Sequence, residues 1–114
     1  MMARSKTVSY IGFATKAGRI TIGTEITLET VRKGKSKKVF LVLCASDASN
    51  NTKKRVTDCG AYYKVPVKEL GETISDLSKI TGKVRAVAVI GITDEGFANA
   101  ILKSLVQNDS ADIG

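Results

Sequence analysis

Polar residues that could bind an anion stand at three places where an apolar run gives way to a predicted helix, namely residues 22–24, 44–49 and 92–94. Backbone amides at a helix N-terminus bind phosphate oxygens, and in α/β proteins such sites lie beyond the carboxyl ends of the strands. The first two junctions could share one edge of a sheet. Ordinary helix capping, which uses the same residue types, is the alternative interpretation.

The first junction opens a short helix over residues 23–34, which has a polar start, a basic end and a glycine at each border. Thr24 is expected to cap the amides of the first turn, and Glu25 stands where the helix dipole favours a carboxylate. Glu29 precedes Lys33 by the four residues that allow an ion pair along a helix. We predict that the start of this helix faces the ligand.

No spacing in the sequence matches a catalytic motif. Residues 34–36 resemble the end of a phosphate-binding loop, but position 29, where that motif requires glycine, is glutamate. The chain has no histidine, so neither a zinc site nor a histidine-activated nucleophile is expected. Asp94 and Glu95 are adjacent carboxylates at a helix start, where a role toward the helix dipole is far commoner than an acid–base pair. We therefore predict a protein without catalytic activity and without a cofactor.

The hydropathy pattern predicts the sheet that would hold these junctions. Two continuous apolar runs, 39–45 and 86–92, are typical of strands buried on both faces, and short extended segments at 20–22 and 65–67 bring the total to about four strands. Helices are predicted between the strands, over 5–17, 23–34, from 52 to about 63, around 70–77 and after the cap at Thr93 and Asp94. The expected fold is α/β, a three-layer α-β-α sandwich around a mixed sheet.

Length and charge bound the domain organisation and the class of partner. A chain of 114 residues is enough for one domain over 1–114, with a core over about 5–107 and a polar tail over 108–114. The formal net charge is +7, and residues 1–55 hold twelve basic side chains against three acidic ones. Such a bias favours a polyanionic partner, most often nucleic acid, although a generally basic solvated surface would look the same.

Other features of the composition point to a cytoplasmic protein. No signal peptide opens the sequence, and no apolar run approaches the roughly 18 residues of a membrane span. Cys44 and Cys59 are expected to be reduced thiols. The six aromatic residues are not interleaved with basic ones, so a stacking platform for single strands is not expected, and Tyr62 and Tyr63 are predicted to pack on the core. Folded RNA recognised by shape and phosphates fits this surface better.

Six sequence runs in register resemble one family. They lie at 14–18, 23–25, 45–54, 65–67, 69–71 and 91–101. Together they resemble the ribosomal protein L7Ae/L30e superfamily, most closely its bacterial YlxQ branch, over about residues 8–106. The resemblance implies an α-β-α sandwich that binds kink-turn or kink-turn-like RNA, a sharply bent helix containing sheared G·A pairs. It also suggests association with the ribosome, and we expect a monomer.

The resemblance also implies which residues contact RNA. In this family the start of the second helix reads the G·A pairs, and Gly23, Thr24 and Glu25 match that motif. Glu25 stands where archaeal members usually carry asparagine, and its carboxylate can still accept from guanine N1 and N2. The loop before the final strand packs on a flipped-out nucleotide, which points to Val84. Six basic residues are then expected at phosphate or sugar: Lys16, Lys33, Lys53, Lys54, Lys83 and Arg85.

Glu29 leaves two alternatives open, because the family generally carries lysine at this position. The chain could bind a different ribosomal or structured RNA, to which a carboxylate on this helix is suited. It could also be a protein-interaction module, since relatives of this fold bind proteins instead of nucleic acid.

Overall fold

The computed structural model describes residues 6–34 and 37–113, and in this part of the chain five helices alternate with four strands. Ser5, Lys35 and Ser36, which belong to predicted segments, lie outside the described residues. In chain order the elements are α1 (Lys6–Lys16), β1 (Ile20–Ile22), α2 (Thr24–Lys33), β2 (Leu41–Cys44), α3 (Asn50–Tyr63), β3 (Val67–Glu69), α4 (Ile74–Thr81), β4 (Val89–Ile92) and α5 (Glu95–Ile113).

The strands form one mixed sheet in the order β1-β4-β2-β3. Strand β4 runs antiparallel to β1 and β2, whereas β3 runs parallel to β2. The carboxyl ends of β1, β2 and β3 therefore meet at one edge, which we call the carboxyl edge, formed by residues 22–25, 45–55, 69–76 and 83–88. The opposite edge, which we call the amino edge, is formed by residues 16–20, 32–34 with 37–40, 62–66 and 92–95.

Helices cover both faces of the sheet. Helices α2 and α3 pack together on one face, and α1 packs with α4 and α5 on the other. Every residue of β2 and β4 is buried, as the two continuous apolar runs predicted, because each strand has helices above and below it. The core joins all three layers through fully buried side chains of Ile11, Leu28, Leu43, Ile90 and Ile101. The predicted three-layer α-β-α sandwich with a mixed sheet is thus confirmed.

The structure corrects the predicted cap of α2. Thr24 is the first helical residue and caps nothing, since Gly23 occupies the N-cap position and no side chain bonds the first-turn amides there. Gly23 has φ 117°, a conformation that side chains disfavour, and its amide donates to the Val89 carbonyl at 2.9 Å. Asp94 does cap α5, since its carboxylate accepts from the Phe97 amide at 2.9 Å.

The prediction that Tyr62 and Tyr63 pack on the core was wrong. The buried stripe of α3 runs through Val56 and Gly60, and both tyrosines lie off it, with 79% and 38% of their surfaces exposed. Helix α5 continues to Ile113, which includes the segment for which the sequence predicted a polar tail. None of the described helices is long and apolar enough to cross a membrane.

Candidate nucleic-acid interface

The start of α2 lies at the carboxyl edge with its amides directed out of the fold. The first helical hydrogen bond runs from the Thr27 amide to the Gly23 carbonyl at 3.1 Å. The amides of residues 24–26 precede that bond and lack a side-chain cap, so they are donors that a ligand can use. Together with the positive end of the helix dipole they favour a phosphate or another acceptor in front of Gly23.

Glu25 is bound by a residue that the sequence did not single out. The Arg55 guanidinium, from α3, donates to both carboxylate oxygens of Glu25, at 2.8 and 3.0 Å. These hydrogen bonds and the charge of Arg55 hold the pKa of Glu25 below its usual range. Arg55 thereby fixes a carboxylate that is otherwise 73% exposed. A carboxylate offers about four lone-pair sites, so two remain for donors on a ligand.

The loop that leads into β4 lies beside the start of α2. One Arg85 nitrogen donates to the Ile22 carbonyl at 3.1 Å and passes close to Gly23, where an added Cβ would stand 3.5 Å from it. Ser78 holds the loop from the other side, since its hydroxyl donates to the Arg85 carbonyl at 2.8 Å and accepts from the Val87 amide at 3.1 Å. The loop backbone is thus fixed while the Val84 side chain is fully exposed, at 107%.

The predicted lysines of this edge differ in how free their charges are. The Lys53 ammonium donates to the Ser46 carbonyl at 2.9 Å and pairs with Glu69 at 3.1 Å, so its charge is already used inside the protein. Lys54 pairs with Asp58 at 3.5 Å, and both side chains are largely exposed. Lys83 is exposed and forms no ion pair with the described residues. Lys83 and Lys54 are therefore better placed for a phosphate than Lys53.

The structure brings eight of the ten predicted site residues to the carboxyl edge. These are Gly23, Thr24, Glu25, Lys53, Lys54, Lys83, Val84 and Arg85. Lys16 and Lys33 lie at the amino edge, at the far ends of α1 and α2. Lys33 forms the predicted ion pair with Glu29, at 3.1 Å. Lys33 stands about 15 Å along α2 from Gly23, and Lys16 lies at the same edge as Lys33, so neither lysine is next to the start of α2.

The charges of the carboxyl edge balance. Its five basic side chains face five acidic ones: Lys53, Lys54, Arg55, Lys83 and Arg85 against Glu25, Asp47, Glu69, Glu72 and Asp76. A ligand at this edge would be selected by hydrogen-bond geometry and shape more than by net attraction. No group of three or more metal-ligating side chains occurs among the described residues.

Comparisons with known proteins agree on one family. The sequence matches the model of the "Ribosomal protein L7Ae/L30e/S12e/Gadd45 family" over residues 5–102. It is 43% identical over 95 residues to the RNA-binding protein YlxQ of Enterococcus faecium, covering 83% of this chain and 86% of that protein. It is 39% identical over 95 residues to the RNA-binding protein YlxQ of Bacillus subtilis (strain 168), covering 83% and 90%.

Solved structures share the architecture. A protein of unknown function from Bacillus halodurans C superimposes with a TM-score of 0.79 at 33% identity, over 89% of this chain and 97% of that one. The Giardia lamblia 15.5kD RNA binding protein superimposes with a TM-score of 0.71, over 96% and 92% of the two chains. At 16% identity this second likeness shows the fold alone.

Proposed function

Because the chain belongs to the ribosomal protein L7Ae/L30e/S12e/Gadd45 family, we propose that it is a non-catalytic RNA-binding protein that recognises kink-turn-like or otherwise bent structured RNA. The binding surface is the carboxyl edge, and the protein acts in the cytoplasm as a monomer, in association with ribosomal or other structured RNA. The two relatives at 39% and 43% identity are both named RNA-binding proteins, which supports the choice of ligand.

The observation that carries the proposal is the hydrogen bond from Arg85 to the Ile22 carbonyl, 3.1 Å long. It joins the start of α2 to the loop before β4, two segments that are some sixty residues apart in the chain. The family resemblance assigns base contacts to the first segment and a nucleotide contact to the second. A bent RNA could meet both segments at once, because they stand side by side.

Each group at the edge has a role that suits its chemistry. The amides that begin α2 donate to phosphate or base acceptors, and the free lone pairs of Glu25 accept from guanine N1 and N2. Val84 offers an apolar surface to a base that has left the stack. Lys54, Lys83 and the remaining donors of Arg85 contact phosphate. Lys16 and Lys33 are left out of this role, since both lie at the amino edge.

Titration of the protein with a kink-turn RNA and with an unbent duplex of equal length tests the proposal. We expect tighter binding of the kink-turn. Val84→Ser should weaken kink-turn binding about tenfold, because the variant loses the free energy of burying the valine side chain against the RNA. The fold should not change, because the Val84 side chain is fully exposed in the protein alone. Val106→Ser, at a valine that is 64% exposed on α5, is the matched control. Equal affinity for the two RNAs would contradict the proposal.

Glu29→Lys separates kink-turn recognition from recognition of another structured RNA. Glu29 pairs with Lys33 on the exposed surface of α2, so its replacement should change the free energy of unfolding by no more than about 0.5 kcal/mol. If the wild-type α2 already fits a kink-turn, Glu29→Lys should raise kink-turn affinity no more than about threefold, through the added positive charge alone. A gain above tenfold would favour a different RNA. Glu72→Lys, the same charge change at the carboxyl edge but off α2, is the control.

A protein-interaction module is the second candidate function, and two exposed apolar side chains favour it. Val84 is 107% exposed at the carboxyl edge, whose charges balance, and Ile26 is 52% exposed next to Glu25 in the first turn of α2. Apolar groups on a neutral surface are typical of protein interfaces. Ultraviolet cross-linking in cells followed by RNA sequencing decides between the candidates, since a protein partner predicts no enrichment of any RNA.

A further inference from the structure

The positive charge of the protein is concentrated at the amino edge, away from the proposed RNA site. Seven basic side chains stand there against two acidic ones, Asp94 and Glu95, at the start of α5. Five of the basic side chains lie at or after the ends of α2 and α3, whereas both acids lead into α5, which packs on the other face of the sheet. We define a basic surface by Arg19, Arg32, Lys33, Lys37, Lys38 and Lys64, and all six residues are exposed.

The charges of this basic surface are almost entirely unpaired. Lys33 has an ion pair, with Glu29, whereas the other five side chains form none with any residue that the structure describes. At the carboxyl edge, by contrast, Lys53, Lys54 and Arg55 are all paired with carboxylates. Unpaired cations in water attract a polyanion most strongly, because no internal partner has to be displaced.

Hydrogen bonds fix the backbone that carries these charges. The Thr93 amide donates to the Arg19 carbonyl at 3.0 Å, and the Phe40 amide donates to the Ile92 carbonyl at 2.8 Å. The segments before β1 and β2 are thus tied to the end of β4. Since strands lie about 4.8 Å apart, the surface spans about 14 Å from Arg19 to Lys64, across the four strands. The cations therefore stand along one edge of the sheet, where hydrogen bonds join the segments beside β1, β4 and β2.

Lys64 has an unusual backbone conformation for its residue type. It ends α3 with φ 60°, the left-handed conformation that glycine or asparagine usually supplies at this position. Among the described residues it is the one non-glycine with positive φ. Glycine would adopt this conformation with less strain, whereas lysine places an exposed cation at the end of α3.

Aromatic rings accompany the cations at this edge, an arrangement that the chain order did not reveal. The Lys38 ammonium stands 5.3 Å from the centroid of the Phe40 ring. Tyr62 is 79% exposed, and its ring meets that of Tyr63 edge to face at 4.8 Å between centroids. Tyr62 and Lys64 are both exposed where α3 ends at this edge. Single-stranded RNA binds surfaces that carry both exposed aromatic rings, on which bases stack, and cations, which contact phosphates.

We propose that the amino edge is a second RNA-binding surface, which holds a single-stranded segment by its phosphates and by stacking on Tyr62, without reading sequence. This inference goes beyond the proposed function, which concerns the other edge. The protein would then hold a bent RNA at one end of α2 and an unpaired strand at the other. RNA is favoured over an acidic protein as partner because the cations occur together with an exposed ring that a base can stack on.

A variant that removes three of the six positive charges of the surface tests this inference. In Lys37→Gln/Lys38→Gln/Lys64→Asn all three changes are at exposed positions, and asparagine suits the conformation of residue 64. The probe is a fluorescent 12-nucleotide oligo(U), and anisotropy is followed from about 50 to 200 mM salt. We expect at least tenfold weaker binding than wild type and a log–log salt slope reduced by about 2, since each phosphate on a single strand contributes about 0.7.

Matched variants separate this surface from total charge and from the carboxyl edge. Lys68→Gln/Lys79→Gln/Lys103→Gln removes the same charge away from the amino edge and should retain most oligo(U) binding. Val84→Ser should retain it fully while kink-turn binding falls. Loss of oligo(U) binding in the first triple variant therefore supports the second surface even if the protein shows no preference for a kink-turn. Equal losses in the two triple variants would overturn the inference.

Two further measurements test the identity of the ligand. Tyr62→Leu should weaken oligo(U) binding about fivefold, whereas Phe13→Leu, at an aromatic residue that is 54% exposed on α1, should not. An unchanged affinity of Tyr62→Leu would overturn the role of stacking and with it the single-stranded ligand. Competition by polyglutamate of equal charge as effective as unlabelled oligo(U) would overturn RNA as the partner. Circular dichroism confirms that each variant is folded.

Discussion

At the residue scale, Arg55 fixes the orientation of the Glu25 carboxylate at the start of α2. A free glutamate beside RNA phosphates would repel them and would sample several rotamers. The bidentate guanidinium neutralises the carboxylate and fixes its plane, at 2.8 and 3.0 Å. The pair therefore presents carboxylate acceptors in a defined direction, which the proposed contact with guanine donors requires.

Arg55→Gln tests this pair by pH titration. Because Arg55 lowers the pKa of Glu25, the ion pair stabilises the fold at pH values above the unfolded-state pKa, and this contribution is lost as pH falls through the folded-state pKa. In the variant, the pKa of Glu25 should return toward its ordinary value of 4.5, as followed by NMR of the carboxyl carbon. The affinity for kink-turn RNA should also fall, since Glu25 is no longer oriented.

The neighbouring Lys54→Gln is the control for that titration. Lys54 pairs with Asp58 one turn further along α3, so its loss should leave the pKa of Glu25 where it was. A Glu25 titration that is the same in Arg55→Gln and in wild type would show that the pair does not form in solution.

Sequence reasoning identified Glu25 but missed its partner. The pair of Glu29 and Lys33 was predicted correctly, because helical spacing alone brings those residues together. Arg55 is thirty residues from Glu25 and reaches it because α2 and α3 pack side by side. In the sequence, Arg55 was visible only as the third basic residue of the run 53–55. Local spacing could not show that it contacts a residue of α2.

At the element scale, α2 is seated on the sheet by a close contact at Gly91 of β4. A Cβ at this position would stand 2.5 Å from the Thr21 hydroxyl and 2.9 Å from the Thr27 methyl. The two threonine hydroxyls are hydrogen-bonded to each other at 2.8 Å over this glycine. The absence of a side chain at residue 91 therefore sets the height of α2 above the sheet, and with it the position of Gly23 at the edge.

Gly91→Ala should lift α2 and destabilise the protein. Overpacking of this kind costs about 1–3 kcal/mol of unfolding free energy, measured by chemical denaturation. Gly12→Ala is the matched control, because an added Cβ in α1 meets no atom within 4 Å and alanine favours a helix. That control should be neutral or stabilising by about 0.5 kcal/mol. A Gly91→Ala variant as stable as wild type would refute the close contact.

Ser78 positions the loop that carries Val84, so its removal should act on RNA binding at a distance. In Ser78→Ala the amide of the buried Val87 loses its acceptor, which costs about 1–3 kcal/mol. Kink-turn affinity should fall as well, although Ser78 itself lies behind the loop, while the exposed Ser75→Ala should change neither quantity. If Ser78→Ala is destabilised but binds RNA with wild-type affinity, the position of the loop does not contribute to RNA binding.

The elements were more predictable than their ends. The strands β2 and β4 were predictable from their continuous apolar runs. Because helices cover both faces of the sheet, these strands do not alternate apolar and polar residues. The cap of α2 was assigned to Thr24 because hydroxyl residues usually cap helices. In the structure Gly23 occupies the N-cap position instead, with a positive φ and with its amide bonded to the Val89 carbonyl. This partner is in β4, far along the chain, so local sequence could not indicate it.

At the scale of the whole molecule, charge and shape are distributed between two edges. In the sequence, the excess of positive charge lies in the first half of the chain, residues 1–55. In the fold, the same residues divide between the balanced carboxyl edge and the basic amino edge. Linear charge counts could not show this division, because α2 and α3 each begin at one edge and end at the other.

Cys44 offers a probe of the integrity of the whole fold. Burial raises the pKa of its thiol, so it stays protonated at neutral pH and shielded within β2. In Cys59→Ser, modification of Cys44 by a thiol reagent should occur only as fast as the protein opens, and denaturant should accelerate it in step with unfolding. Modification as rapid as that of an unfolded peptide would show that β2 is accessible in the native state.

The pairing of β1 with β4 determines the stage of synthesis at which the start of α2 can take its final form. Ile22 pairs with Ile90, across about 70 residues, and the Gly23 amide donates to the carbonyl of Val89. A contact of such length is slow to form and cannot form before the second partner exists. The start of α2 can therefore not take its final form until β4 has been synthesised, about half of the chain later. Under the proposed function, that delay would keep the growing chain from binding RNA before its last strand is made.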